Sequence, residues 1–196
     1  MSEPPAALEP DDGASLARLA SAAVAARLTG RPLPVDAPDH PVLRAPGASF
    51  VTLECGERLR GCIGSLDPAR PLWRDAMRNA VRAMTDPRLP PLTGADWPDL
   101  DVKVTVLGVL EPVPVADAAA LVAALRPGTD GLFLTDGPRR ATFLPTVWRK
   151  LPSPDTFLAA LLAKGGWPAG YWSASLRASR YTAQEFRDPA PREPLV

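Results

Sequence analysis

The sequence predicts an α+β protein: a mixed, mainly antiparallel sheet with helices packed on it. Three observations carry this. Strand-like runs come in adjacent pairs around glycine turns, at 50–55 with 58–63 and at 131–135 with 141–144. Stretches with helical spacing fall between and around those pairs. The apolar fraction of 46% and charged fraction of 22% are those of an ordinary globular protein. At 196 residues the chain suits one generous domain, or two lobes sharing a core.

In order, Leu16, Leu19, Ala20, Ala23, Val24 and Leu28 repeat at helical spacing before Gly30, so 14–28 is a helix and 1–13 reads as a disordered tail. Prolines 32, 34, 38, 41 and 46 break regular structure across 31–48, leaving an arm that carries His40. A hairpin follows, turned at Gly56. Pro71 opens a helix to Met84 whose buried stripe is Trp73, Met77, Ala80, Val81 and Met84. Asp86-Pro87 ends it and begins an extended crossing to Leu92. Residues 101–110 alternate as a strand, 116–125 form a short helix, and the second hairpin turns at Asp136-Gly137. Ser153 and Pro154 start a helix that Gly165-Gly166 ends. Residues 176–186 read as a last strand returning to the main sheet, and 189–196 as a tail. Trp148, Trp167 and Trp172 read as packing residues.

Lys+Arg and Asp+Glu both number 22, and no basic run compensates locally, which argues against a nucleic-acid binder. No signal-peptide pattern or membrane-length apolar run is visible, so a soluble, cytoplasmic protein without membrane attachment is expected. Simple hairpin register places Cys55 opposite Arg58 and Cys62 near Val51, too far apart for a disulfide. Two cysteines and one histidine make no zinc motif, and no metal or other cofactor is expected.

Polar chemistry concentrates in Leu59-Arg60-Gly61-Cys62-Ile63-Gly64. Alternation puts Arg60 and Cys62 on one face, where a guanidinium would lower a thiol's pKa or anchor an anion. Gly61 and Gly64 would let a ligand approach the backbone. A plainer reading stands beside this one. Cys62 packs as a small hydrophobe, the glycines permit a bulge, and Arg60 pairs with Asp86 or Glu54.

This run resembles the hallmark of the AMMECR domain family (AmmeMemoRadiSam system protein A). Further blocks follow in the family's order: Phe50-Val51-Thr52-Leu53 before the run, then Asp86-Pro87-Arg88 with Pro90-Pro91. After them come Asp130-Gly131-Leu132, Leu144-Pro145, and Lys164 and Gly166 before Trp172. Tyr181 and Phe186 close a resemblance covering 14–188 as a single domain. It departs from the family at Lys103, Thr105, Leu89 and Thr146. The resemblance implies two lobes with the hallmark near a cleft between them. It also implies a Memo-like protein and a radical SAM protein as partners, and with them a modification pathway as a hypothesis.

Three functions are compatible with these residues. The first is a cleft that binds a small anionic ligand or partner peptide through Arg60, Gly61, Gly64, Asp86, Arg88 and Lys164. The second is an enzyme with Cys62 as nucleophile and Arg60 as anion anchor. The third is a scaffold without cleft chemistry.

Overall fold

A computed structural model describes residues 7–195. Its elements begin with helices α1 (Pro10–Thr29) and α2 (Pro41–Arg44), strands β1 (Ser49–Cys55) and β2 (Arg58–Gly64), and helix α3 (Leu72–Ala83). Strands β3 (Leu100–Leu107) and β4 (Glu111–Pro112), helix α4 (Ala118–Ala124), and the hairpin β5 (Gly131–Asp136) and β6 (Arg139–Phe143) follow. Helix α5 (Pro154–Lys164) and strands β7 (Arg177–Tyr181) and β8 (Ala183–Asp188) complete the fold. The class is α+β, as expected. Two four-stranded sheets replace the single one, in the orders β2-β1-β3-β8 and β4-β7-β5-β6.

The chain divides into two compact units, one holding the described residues up to Leu107 and from Gln184 onward, the other Gly108–Ala183. In the first, α1 and α3 cover one face of the β2-β1-β3-β8 sheet over a core that includes Leu16, Val24, Val51, Leu53, Trp73, Met77 and Val104. In the second, Leu132, Leu134, Phe157, Leu161 and Trp148 centre the core, with the Trp148 ring stacked on Phe157 at 3.8 Å. Trp148 and Trp167 are buried as expected. Burial pushes the pKa of the Tyr181 hydroxyl up to about 12, and its O–H donates to the Phe143 carbonyl.

Several local expectations need correction. Residues 1–6 of the expected tail lie outside the described residues, but 10–13 are the first turn of α1, where Pro10 presets φ and Asp11 and Asp12 suit the positive helix end. The proline arm contains one helical turn, α2, started by Pro41 itself and held by the fully buried Leu43. Asp86 to Leu89 is a turn closed by the Leu89 N–H on the Asp86 carbonyl, rather than extended chain. The expected last strand is two, β7 and β8, which serve different sheets. They break at Thr182, whose carbonyl accepts from the Gly108 N–H instead of a ladder partner. The C-terminal segment is docked: Arg192 pairs with Asp188 and lies over the Trp97 ring, and the Ala190 N–H donates to Asp101.

The least expected feature is polar. α3 buries Asp75 and Asn79 along with its apolar stripe. The Asp75 carboxylate accepts from the Ser49 N–H (2.9 Å) and hydroxyl (2.8 Å), from Ser65 Oγ (2.7 Å), from Arg70 Nη1 (2.7 Å) and from Asn79 Nδ2 (2.9 Å). It ties the first turn of α3 to the start of β1 and the exit of β2. Replacing Asp75 by Ala strands several of these buried donors, and the expected loss of unfolding free energy is on the order of 3 kcal/mol. Asp75→Asn keeps the shape with one acceptor oxygen and falls between. Urea unfolding of the two variants checks the order.

Candidate functional site

β1 and β2 pair antiparallel, but the ladder slips between Leu53 and Glu54, with Leu53 opposite Gly61 and Glu54 opposite Leu59. Arg60 is the extra residue, and the strand carries a bulge there. Everything after it shifts by one place, so Cys62 faces Thr52 and not Val51. Gly61 and Ile63 therefore share the helix-covered face with Leu53 and Val51, while Cys62 shares the opposite face with Thr52. Thr52 Oγ1 donates to Cys62 Sγ at 3.4 Å, and the thiol is half-buried.

The bulge also separates Arg60 from Cys62, against the expected shared face. Arg60 turns inward and is 7% exposed. Its Nη2 donates to Asp96 Oδ2 at 2.9 Å and to the Pro91 carbonyl at 3.1 Å. Its Nε–H is buried without an acceptor among the described residues. Asp96, rather than the expected Asp86 or Glu54, is its partner; Glu54 pairs with Lys103. Burial disfavours the Asp96 charge, yet bonds from the Thr93 N–H and Arg60 outweigh it and hold the carboxyl below its ordinary value. Asp96 also closes a capping box with Thr93. That Thr-x-x-Asp spacing was the sequence signal for an ordered acid here.

Gly61 is required by space. A methyl group built on it would lie 1.9 Å from the Ala83 carbonyl oxygen, because the last turn of α3 rests directly on β2. Gly64 is constrained more softly, since its methyl would meet the Phe50 ring at 2.2 Å, on the face of Cys62.

β2 is an edge strand, so the Cys62 N–H and C=O point away from β1 and lack a ladder partner. Asp86 Oδ2 accepts from that N–H at 3.0 Å, and Arg88 Nη2 donates to that carbonyl at 3.0 Å. Arg88 also grips Asp86 as a fork, Nε to Oδ1 at 2.9 Å and Nη2 to Oδ2 at 2.6 Å. The hydrogen bond from Arg88, with the Cys62 and Arg88 N–H groups, holds the Asp86 carboxyl far below the usual carboxylate range against its burial. The Asp86 side chain is fully buried, while that of Arg88 is 64% exposed.

Of the expected site residues, the structure thus brings Cys62, Gly64, Asp86 and Arg88 together and assigns Arg60 and Gly61 to the framework. Lys164 belongs to the other unit, where its ammonium donates to the Thr142 carbonyl and lies over the Phe143 ring. Cys55, at the turn end of the hairpin, donates to the Asp96 carbonyl, and burial with the Asp96 charge pushes its thiol up. His40 of the arm reaches α1. Its Nδ1 lies 2.5 Å from Asp12 Oδ1, and its Nε2 is 3.4 Å from Ser15 Oγ. The order resembles a hydrolase triad, but the Ser15 contact is long and Arg18 already donates to that hydroxyl. The line ties the arm to α1. Among the described residues no cluster of three or more His, Cys, Asp or Glu could hold a metal, and no helix is long and apolar enough to cross a membrane.

The chain as a whole has counterparts among known proteins. The chain belongs to the AMMECR1 family, which it matches over residues 17–186. It is 36% identical to a protein of Methanothermobacter thermautotrophicus, over 93% of this chain and 97% of that one. It is also 36% identical to a protein of Aeropyrum pernix, over 98% and 85% respectively. The crystal structure of the uncharacterized protein PH0010 from Pyrococcus horikoshii superposes with a TM-score of 0.87 at 29% identity, covering 95% of this chain and 96% of that one.

Two outcomes follow from this geometry. Gly61→Ala must push α3 off β2, and a loss of about 2 kcal/mol in denaturant unfolding is expected. Asp86 has its carboxyl lowered in the folded state, so the unfolded chain binds the extra proton as pH falls. The stability it contributes is full above about pH 4 and drains away below that. Asp86→Asn should therefore show a flatter stability curve than wild type below about pH 4, and parallel curves would show that Asp86 is not held this way.

Proposed function

We propose that the outer face of β2 at Cys62 and Gly64, with the Asp86–Arg88 turn, binds the anionic group of a small ligand or of a partner's peptide. Arg88 is the anchor. The observation that supports this is its combination of exposure and fixed position. Asp86 and the Cys62 carbonyl engage Nε and Nη2, and Nη1 keeps both N–H bonds free of partners among the described residues. A guanidinium held in place loses little entropy when a carboxylate or phosphate meets it. Thr52, Cys62 and the side-chain-free Gly64 would line the approach beside it. The proposal includes action with a Memo-like and a radical SAM protein in a modification pathway, which the resemblance to system protein A supports.

The second reading, Cys62 as nucleophile, is favoured by the place of the half-buried thiol on the sheet face, where the Thr52 hydroxyl donates to the sulfur and orients it. The lone histidine is engaged with Asp12 and leaves that reading without a histidine base. Iodoacetamide labelling at neutral pH separates the readings. Cys62 alkylated no faster than a free thiol in a short peptide removes the nucleophile.

Titration calorimetry with a panel of mono- and dicarboxylates and inorganic phosphate tests the anchor. At least one should bind wild type and lose about tenfold or more in affinity in Arg88→Ala. The double variant Asp86→Asn/Arg88→Ala removes the buried charge together with its partner, so lost binding can be told from lost folding. Unchanged affinity in both variants sinks the proposal.

A further inference from the structure

A groove of about 380 Å³ runs between the proline-rich arm and the outward side of α3, away from the Cys62 site. Its floor is apolar, formed by the outer edges of Trp73 and Met77, whose bulk lies in the core, and by the half-buried Val81, and its wall is Leu33 and Val35 of the arm. Leu33 is 41% exposed and Val35 76%, so two of the four large hydrophobic side chains exposed among the described residues face one groove. The wall is not a loose loop. Prolines fix its backbone, the His40–Asp12 bond ties it to α1, and the buried Leu43 anchors its far end.

The other rim is a row of arginines. Arg74, Arg78 and Arg82 stand four apart on α3, one above another at about 6 Å between neighbouring Cβ atoms. All three are exposed, and none pairs with a carboxylate among the described residues; Arg74 lies over the Trp73 ring at 5.0 Å. Elsewhere in the same unit Arg58, Arg60, Arg70 and Arg88 each hold an acid. Like charges at this spacing destabilise a helix on their own. In a chain with no net charge, they are a local feature in need of an opposite charge.

We infer that this groove docks an acidic amphipathic helix of a protein partner. The apolar row 73, 77, 81 and the basic row 74, 78, 82 run parallel with the same four-residue step. A helix laid along them would place apolar side chains at i, i+4 and i+7 into the floor and Asp or Glu from the adjacent row against the guanidinium groups. The apolar floor distinguishes this from a phosphate-tracking surface, whose affinity comes from charge alone. Docking here would leave the Cys62 face open, so both sites could be occupied at once.

Peptide phage display on the folded full chain tests this, with enriched peptides remade and measured by fluorescence polarisation. Enriched sequences are expected to combine acidic residues with apolar ones at helical spacing, and to gain helicity in circular dichroism on binding. Affinity should fall by about tenfold or more in Arg74→Ala/Arg78→Ala/Arg82→Ala and in Val35→Asp, and fall with added salt. All four positions are exposed, so the variants should melt with wild type. Enriched peptides without acidic bias would overturn the inference, as would equal binding by the triple arginine variant. So would arginine-dependent binding of an oligothymidine in place of any peptide, or a wild-type dimer that Val35→Asp abolishes.

Discussion

The last turn of α3 lies against β2 with nothing between them but backbone, and the site depends on that contact. Gly61 contributes no side chain, and the Ala83 carbonyl occupies the place where one would be. Because the helix ends there, the residues that follow it emerge beside the open edge of the sheet. Asp86 is then within reach of the Cys62 N–H. At the opposite end of the helix, Asp75 gathers Ser49, Ser65, Arg70 and Asn79 around one carboxylate. α3 is thus fixed at both ends by polar contacts, and its apolar stripe fills the core between them.

The same arrangement answers the problem of an edge strand. An unpaired N–H and C=O at the edge of a sheet invite another chain to pair with them. Here a carboxylate and a guanidinium, themselves joined as a fork, take both groups of one residue. The second unit repeats the pairing of a buried acid with an exposed arginine. Asp130 there is fully buried, accepts from the Arg126 N–H and guanidinium, and offers its own carbonyl to Trp148 Nε1. That pair closes a turn, however, and borders no strand edge. At Cys62 the device leaves a cation standing beside a thiol at the sheet edge.

Periodicity made most of the elements legible, because apolar spacing reports directly on which side of an element is buried. It could not report the bulge. A single extra residue at Arg60 leaves the pattern of the strand intact to the eye but moves Cys62 from Val51 to Thr52. The buried acids were illegible for a related reason. Asp75 and Asn79 sit on the core side of α3, where charge normally argues for the surface, and only the donors gathered from distant segments make burial tolerable. The sequence groups Asp86 and Arg88 with Arg60, but their bonds to the Cys62 backbone depend on where α3 ends. The division into two sheets was hidden because β7 and β8 are separated by one residue, Thr182.

Arg60 and Arg88 show what burial does to identical chemistry. The Arg60 side chain is 9% exposed and that of Arg88 64%, and both hold an aspartate. An anion reaching Arg60 would have to shed its water and displace Asp96, whose own bonds to Thr93 complete a capping box. An anion reaching Arg88 keeps part of its hydration and meets Nη1 hydrogens that have no partner among the described residues, without breaking the fork to Asp86. Burial therefore marks the framework residue, and exposure marks the one an anion can reach. The same reasoning extends along α3 to Arg74, Arg78 and Arg82, exposed and, among the described residues, without acids of their own. One helix accordingly builds the core with its inner face, the edge cap with the residues after its last turn, and an exposed row of arginines on its outer side.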